Sequence, residues 1–185
     1  MLGALRIGLA EELEYHCYDH TLDVIAASER IGRAMGVSDH EMALLKTAAA
    51  FHDCGFLNSY QEHEREGCSI MQDVLPRFGY DDDSMKQLRE MVLATRVPQQ
   101  PKDLLSKILC DADLEYLGGE RYEEIASKLF RELKSNGSSM DDEQWLEVQI
   151  EFLKNHEYWT DYAKTHLVQG KEATIDRLSE RVDRS

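Results

Sequence analysis

The sequence is short of proline, of basic side chains and of long apolar runs, and each shortage removes a class of answer. Three prolines in 185 residues leave little to interrupt helices, because proline lacks the backbone donor and blocks a helix interior. No apolar stretch approaches the roughly 20 residues that a membrane-spanning helix needs. The opening "MLGALRIGLAEELEYH" has neither the basic start nor the long apolar segment of a signal peptide, so a cytoplasmic location is expected. Lys and Arg number 21 against 36 Asp and Glu, a formal net charge of -15. Such a charge repels nucleic-acid backbones and anionic membranes, which excludes long nucleic acid and membrane as partners. A small phosphorylated ligand remains open, held by a metal or a few arginines. Cysteine is sparse as well: Cys17, Cys54, Cys68 and Cys110 stand singly, without CxxC spacing. They read as reduced, mostly buried thiols, not as a disulfide framework or a Cys-rich zinc site.

What is present points to one soluble domain with a sizeable core, 42% hydrophobic and 31% charged. Apolar residues recur three and four apart over long stretches, the signature of helices, and no strand pattern stands out. The expected fold is all-α, about seven to nine helices, near residues 8–35, 39–53, 63–77, 82–95, 102–117, 120–135 and 141–156, with one or two more beyond. The breaks carry their own chemistry: Gly36 as a stop, Ser38 as a cap, acidic caps in "FGYDDDS", and "VPQQP" as a terminator. The tail "KEATIDRLSERVDRS" places Ile175, Leu178 and Val182 on one side, which suits docking on the domain or on a second subunit in a homodimer.

Six acidic and imidazole positions then stand out. His16 and His20 are four apart in "EYHCYDHTLDV", which puts both on one helix face with Leu13, Cys17, Val24 and Ile31. His52 falls on the stripe of Leu45, Ala48 and Ala49 in "AAAFHDCGF", and Asp53 follows it. An ionised carboxylate buried alone costs several kcal/mol, so Asp53 must cap, reach solvent or sit on a cation. Gly55 would permit the chain to turn away. In "ILCDADLEYLG", residues two apart on a helix point about 200° apart, so one of Asp111 and Asp113 faces the core. Asp113, with Leu109 and Leu117 as its four-spaced neighbours, is the inward candidate; Asp111 falls on the wetter face beside Lys107.

These motifs together resemble the HD superfamily of metal-dependent phosphohydrolases, whose signature is H…HD…D. "YHCYDHTLDV" resembles an element shared with cyclic-nucleotide phosphodiesterases, "FHDCGF" the HDxG element and "DADL" the AD pair. "EHEREG", "LATRVPQQPKDLLSKILCDADLEYLG" and "FLKNHEYWT" are similar to segments of small stand-alone bacterial HD proteins. The likeness covers about residues 12–165, leaving 166–185 as a C-terminal extension of a single HD-type helical bundle over 1–185.

The resemblance implies that His20, His52, Asp53 and Asp113 ligate a divalent ion, for which Mn, Fe, Co, Ni, Zn and Mg all suit a mixed nitrogen and oxygen set. It implies hydrolysis of a small phosphorylated metabolite, a nucleotide above all, by metal-activated water. His16 matches the general acid of the phosphodiesterases, beside Asp53 in the catalytic set; its other reading is a group that orients His20. His63 is placed like a ligand to a second metal, but Thr95 and Arg96 stand where dinuclear members supply a further histidine. Arg96, and more weakly Arg65, could clamp phosphate, while Arg96 also suits a helix C-terminus. His156, with Tyr158 and Trp159, could stack a ring in the pocket or serve packing. Two alternatives stand beside the hydrolase: a nucleotide-binding regulatory module without turnover, and a di-iron oxygenase.

Overall fold

Side-chain caps fix where most helices begin. Ser38 accepts from the Glu41 N–H, and the Glu41 carboxylate accepts from the Ser38 N–H, which closes a capping box at the start of the helix Asp39–Phe51. Asp81, Asp103, Asp141 and Thr160 each accept a backbone N–H in the first turn of the helix that follows. Gly36 (φ 73°) and Gly79 (φ 84°) take left-handed backbone at the turns before two of these helices. The computed structural model describes residues 1–182, and among them every regular element is helical.

Ten α-helices run in chain order: α1 (Leu2–Gly8), α2 (Tyr18–Ala34), α3 (Asp39–Phe51), α4 (His63–Val74), α5 (Asp82–Ala94), α6 (Leu104–Asp113), α7 (Tyr122–Ser135), α8 (Asp142–Asn155), α9 (Asp161–His166) and α10 (Val168–Val182). Short 3-10 turns occupy Cys54–Leu57, Leu75–Phe78 and Glu115–Gly118. The all-α expectation holds, with one helix more than the upper expectation of nine. The added element is at the front. Residues 8–35, expected as one helix, are irregular up to Cys17 and helical from there as α2, while α1 lies before them and ends at Gly8. The cause is distant in sequence: the buried Glu132 carboxylate on α7 accepts the Tyr15 N–H at 2.9 Å and the His16 N–H at 3.0 Å, and so holds that stretch off the helix. His16 therefore precedes α2, and the expectation that it shares a helix face with His20 is corrected.

Two apolar cores share the chain. The first is built from α1 to α6, around Ile31, Leu45, Met71, Leu88 and Ile108. The second is built from the Glu115–Gly118 turn, α7, α8, α9 and α10, around Leu117, Leu146, Leu153 and Leu178. α6 is inward on most of its circumference, with Leu105, Ile108, Leu109, Cys110, Asp111 and Ala112 all buried. The tail docks on its own chain: α10 packs on α8 and on the Glu115–Gly118 turn, with Thr174 and Leu178 buried while Val182 stays exposed.

Candidate metal centre

Three helix ends converge on one point. His20 lies in the first turn of α2, His52 and Asp53 follow the last residue of α3, and Asp113 is the last residue of α6. His20 Nε2 is 3.1 Å from Asp113 Oδ1, 3.4 Å from Asp53 Oδ2 and 3.4 Å from His52 Nε2. His52 Nε2 is 3.1 Å from Asp53 Oδ2 and 3.5 Å from Asp113 Oδ1. His52 is fully buried and Asp53 is 6% exposed.

The protonation pattern shows what this cluster lacks. His52 Nδ1 sits 2.8 Å from the Ala49 carbonyl oxygen, which can only accept, so Nδ1 carries a proton and Nε2 is the nitrogen turned into the cluster. That nitrogen faces two carboxylate oxygens, Asp53 Oδ2 and Asp113 Oδ1. Such an arrangement calls for a shared positive charge. Burial by itself lowers the His52 pKa, yet Asp53 and Asp113 outweigh it and hold the ring well above its usual range. Burial likewise works against the Asp53 carboxylate, but His52, His16 and His20 pull it well below the normal range. A divalent ion meets the same demand more fully than a proton does. Ligand atoms about 2.1 Å from one ion lie roughly 3.0–3.4 Å from one another in octahedral or tetrahedral sets, and the observed separations are close to that. His20, His52 and Asp113 form a potential metal-binding group, with donor atoms all within 4.8 Å of one another.

Around the cluster, aromatic rings set the second histidine and its neighbours. Tyr15 packs on His20 with ring centroids 4.7 Å apart, and Phe56 is stacked between His16 (4.3 Å) and His63 (4.0 Å). His16 Nδ1 is bonded to the Glu132 carboxylate, which is fully buried and also receives the Tyr60 hydroxyl at 3.4 Å. Burial lowers the His16 pKa, but the Glu132 bond and the Asp53 and Asp113 charges raise it above the usual histidine value. Glu132 escaped the sequence reading. A carboxylate three residues beyond Leu129 and flanked by Leu133, in an amphipathic helix, is the same kind of signal that singled out Asp113.

The remaining expected residues separate. His63 Nε2 is 3.5 Å from Asp53 Oδ1 and from the buried Glu64, so it borders the cluster. Arg96 lines the same cavity, with its guanidinium on Glu62 at 2.5 Å. Arg65 binds Glu62 too, at 2.9 Å, and does not line the cavity. Asp111 is the clear correction. It is fully buried instead of facing water beside Lys107, and its two oxygens accept the Trp159 and Thr160 N–H groups at 2.8 and 2.7 Å, tying down the start of α9. The one-face argument failed because α6 is sandwiched between two cores: Asp111 is the fully buried member of the pair, and Asp113, expected to be the inward one, is only partly buried at the cluster. His156 sits behind the cavity, against Tyr158 at 4.7 Å and Phe152 at 6.2 Å, in a packing position. Burial, with Lys171 nearby, presses its pKa down to about 4.

A family model for the HD domain matches residues 17–115, more than half of the chain, and the match spans all four converging residues. The chain belongs to the HD-domain family. The HD match begins just after His16 and ends before α7, so Glu132 and the helices of the second core lie outside it. No curated protein matches the chain.

Proposed function

We propose that this HD-domain protein is a divalent-metal-dependent phosphohydrolase acting on a small phosphorylated ligand, as a phosphomonoesterase or phosphodiesterase, with His20, His52, Asp53 and Asp113 as the ligands of the ion. The observation that carries the reading is the convergence of these four side chains, with His20 Nε2 and His52 Nε2 each turned onto the Asp53 and Asp113 carboxylates. A divalent ion there would lower the pKa of water toward neutrality and draw charge from a phosphate oxygen.

The residues of the chain supply the rest. Asp53 turns Oδ2 to the histidines and Oδ1 toward His63, so the carboxylate both holds and orients what binds between them. His16, kept protonated by Glu132, faces the same cavity and gives its proton to the leaving oxygen. The new bond joins water oxygen to phosphorus, the ester P–O bond breaks, and the alcohol departs with the His16 proton while the water proton goes to solvent. Arg96 would steady the phosphate after exchanging Glu62 for it.

Elemental analysis and a panel of phosphate esters, nucleotides included, assayed with Mn2+, Co2+, Ni2+ and Mg2+ in turn, test this. His52→Ala and Asp53→Ala are expected to lose bound metal and to lower turnover by at least about a hundredfold. Wild-type turnover by a metal-free His52→Ala protein would overturn the proposal.

A further inference from the structure

The cluster opens into a cavity of about 560 Å3, within the roughly 300–1,000 Å3 usual for small-molecule sites. Its two ends differ in character. The polar end carries His16, Asp53, His63, Glu64, Glu62, Asp113 and Arg96. The apolar end is walled by Leu114, Leu117, Leu129, Leu133, Val148 and Phe152, contributed largely by α7 and α8, with Val148 exposed to solvent.

Three observations bear on what fits there. First, two polar side chains of the apolar wall are already engaged: the Tyr122 hydroxyl donates to Gln149 Oε1 at 3.1 Å, and Gln149 Nε2 donates to the Trp145 backbone carbonyl at 3.3 Å. A sugar or base placed among the leucines would give up hydrogen bonds to water that this wall does not replace. Second, Arg96 brings the one guanidinium or ammonium group among the described lining residues, and it is already bound to Glu62. Four carboxylates, Asp53, Glu62, Glu64 and Asp113, share the polar end, which disfavours a di- or triphosphate. Third, the apolar wall shares one cavity with Asp53 and Asp113, so a ligand whose phosphate meets the ion can lay its remainder along it.

We infer that the ligand is a monophosphate ester of an extended hydrocarbon chain, with the phosphate at the His and Asp cluster and the chain along the α7–α8 wall. The inference rests on the proposed hydrolase reading for the position of the phosphate. It replaces the nucleotide that family likeness implies by an apolar compound.

Titration of the Mn2+-loaded protein with linear alkylphosphonates, whose P–C bond is not hydrolysed, reads the chain directly. Affinity is expected to rise about fourfold per methylene, the equivalent of ~0.8 kcal/mol, so that octylphosphonate binds more than about a hundredfold tighter than butylphosphonate. AMP is expected to bind more weakly than octylphosphonate. Leu129→Trp, which narrows the apolar wall, is expected to weaken octylphosphonate at least about tenfold while Mn2+ bound per chain stays the same, the latter serving as the check on folding. Equal affinity for butyl and octyl chains, or AMP binding more tightly than octylphosphonate, would overturn the inference. Turnover of short-chain phosphates with a flat chain-length series defeats the inference and leaves the hydrolase standing. A steep series without turnover of any phosphate does the reverse.

Discussion

At the scale of single residues, the account turns on which lone pairs face one another. His52 is not interchangeable with a core histidine, because its Nδ1 is spent on the Ala49 carbonyl and its Nε2 faces two carboxylate oxygens and the His20 ring nitrogen. Glu132 acts one step further out, through His16. Changing it to Gln removes the charge that raises the His16 pKa while keeping much of the shape. Glu132→Gln is expected to lower kcat about tenfold to a hundredfold with bound metal unchanged. A general acid works only while protonated, and the His16 pKa is raised in the intact protein, so activity should persist to higher pH there than in the variant. The alkaline limb of the kcat/KM profile of Glu132→Gln should therefore shift to lower pH. An unshifted limb would leave Glu132 a packing residue. At this scale the sequence was informative about His20, His52 and Asp113 through their helical spacing, and about Asp53 through its place directly after His52 in the HD pair. Glu132 was harder to read: its partners Tyr15 and His16 lie more than a hundred residues away, and no local period records them.

At the scale of elements, close approach decides how the donors are aimed. The 3-10 turn Cys54–Leu57 packs so tightly on α4 that a Cβ on Gly55 would come 1.9 Å from the His63 carbonyl oxygen and 2.8 Å from the Gly67 nitrogen. The sequence suggested Gly55 as a turning point; its backbone is not left-handed, and what it supplies is room for a neighbouring backbone. Gly55→Ala is expected to cost about 3 kcal/mol or more, read by urea unfolding, and to loosen metal binding because Asp53 and His63 flank the contact. Wild-type stability in that variant would contradict the packing described. Element boundaries from α3 to α8 were legible from caps and apolar stripes, since those signals are local. The stop before α2 and the burial of Asp111 were not, since both come from partners in the second core.

At the scale of the whole molecule, two cores meet around a cavity that neither could close alone. The part that matches the HD family brings the charged end, and α7 and α8, beyond that match, bring Glu132 and the apolar wall. This division explains why the family and its cluster could be read from motifs while the organic part of the ligand could not: the wall is ordinary amphipathic helix in sequence, and only the fold shows that some of its leucines line a space. The net charge of -15 fits the same picture, leaving attraction for phosphate to be generated locally at the cluster. The most direct test of the central claim is the rate of phosphate release by chelator-stripped protein as Mn2+ is restored, plotted against metal bound per chain. A rate near zero without metal that climbs in proportion to binding and levels at about one equivalent is the predicted result, and full turnover with no metal bound would contradict the account.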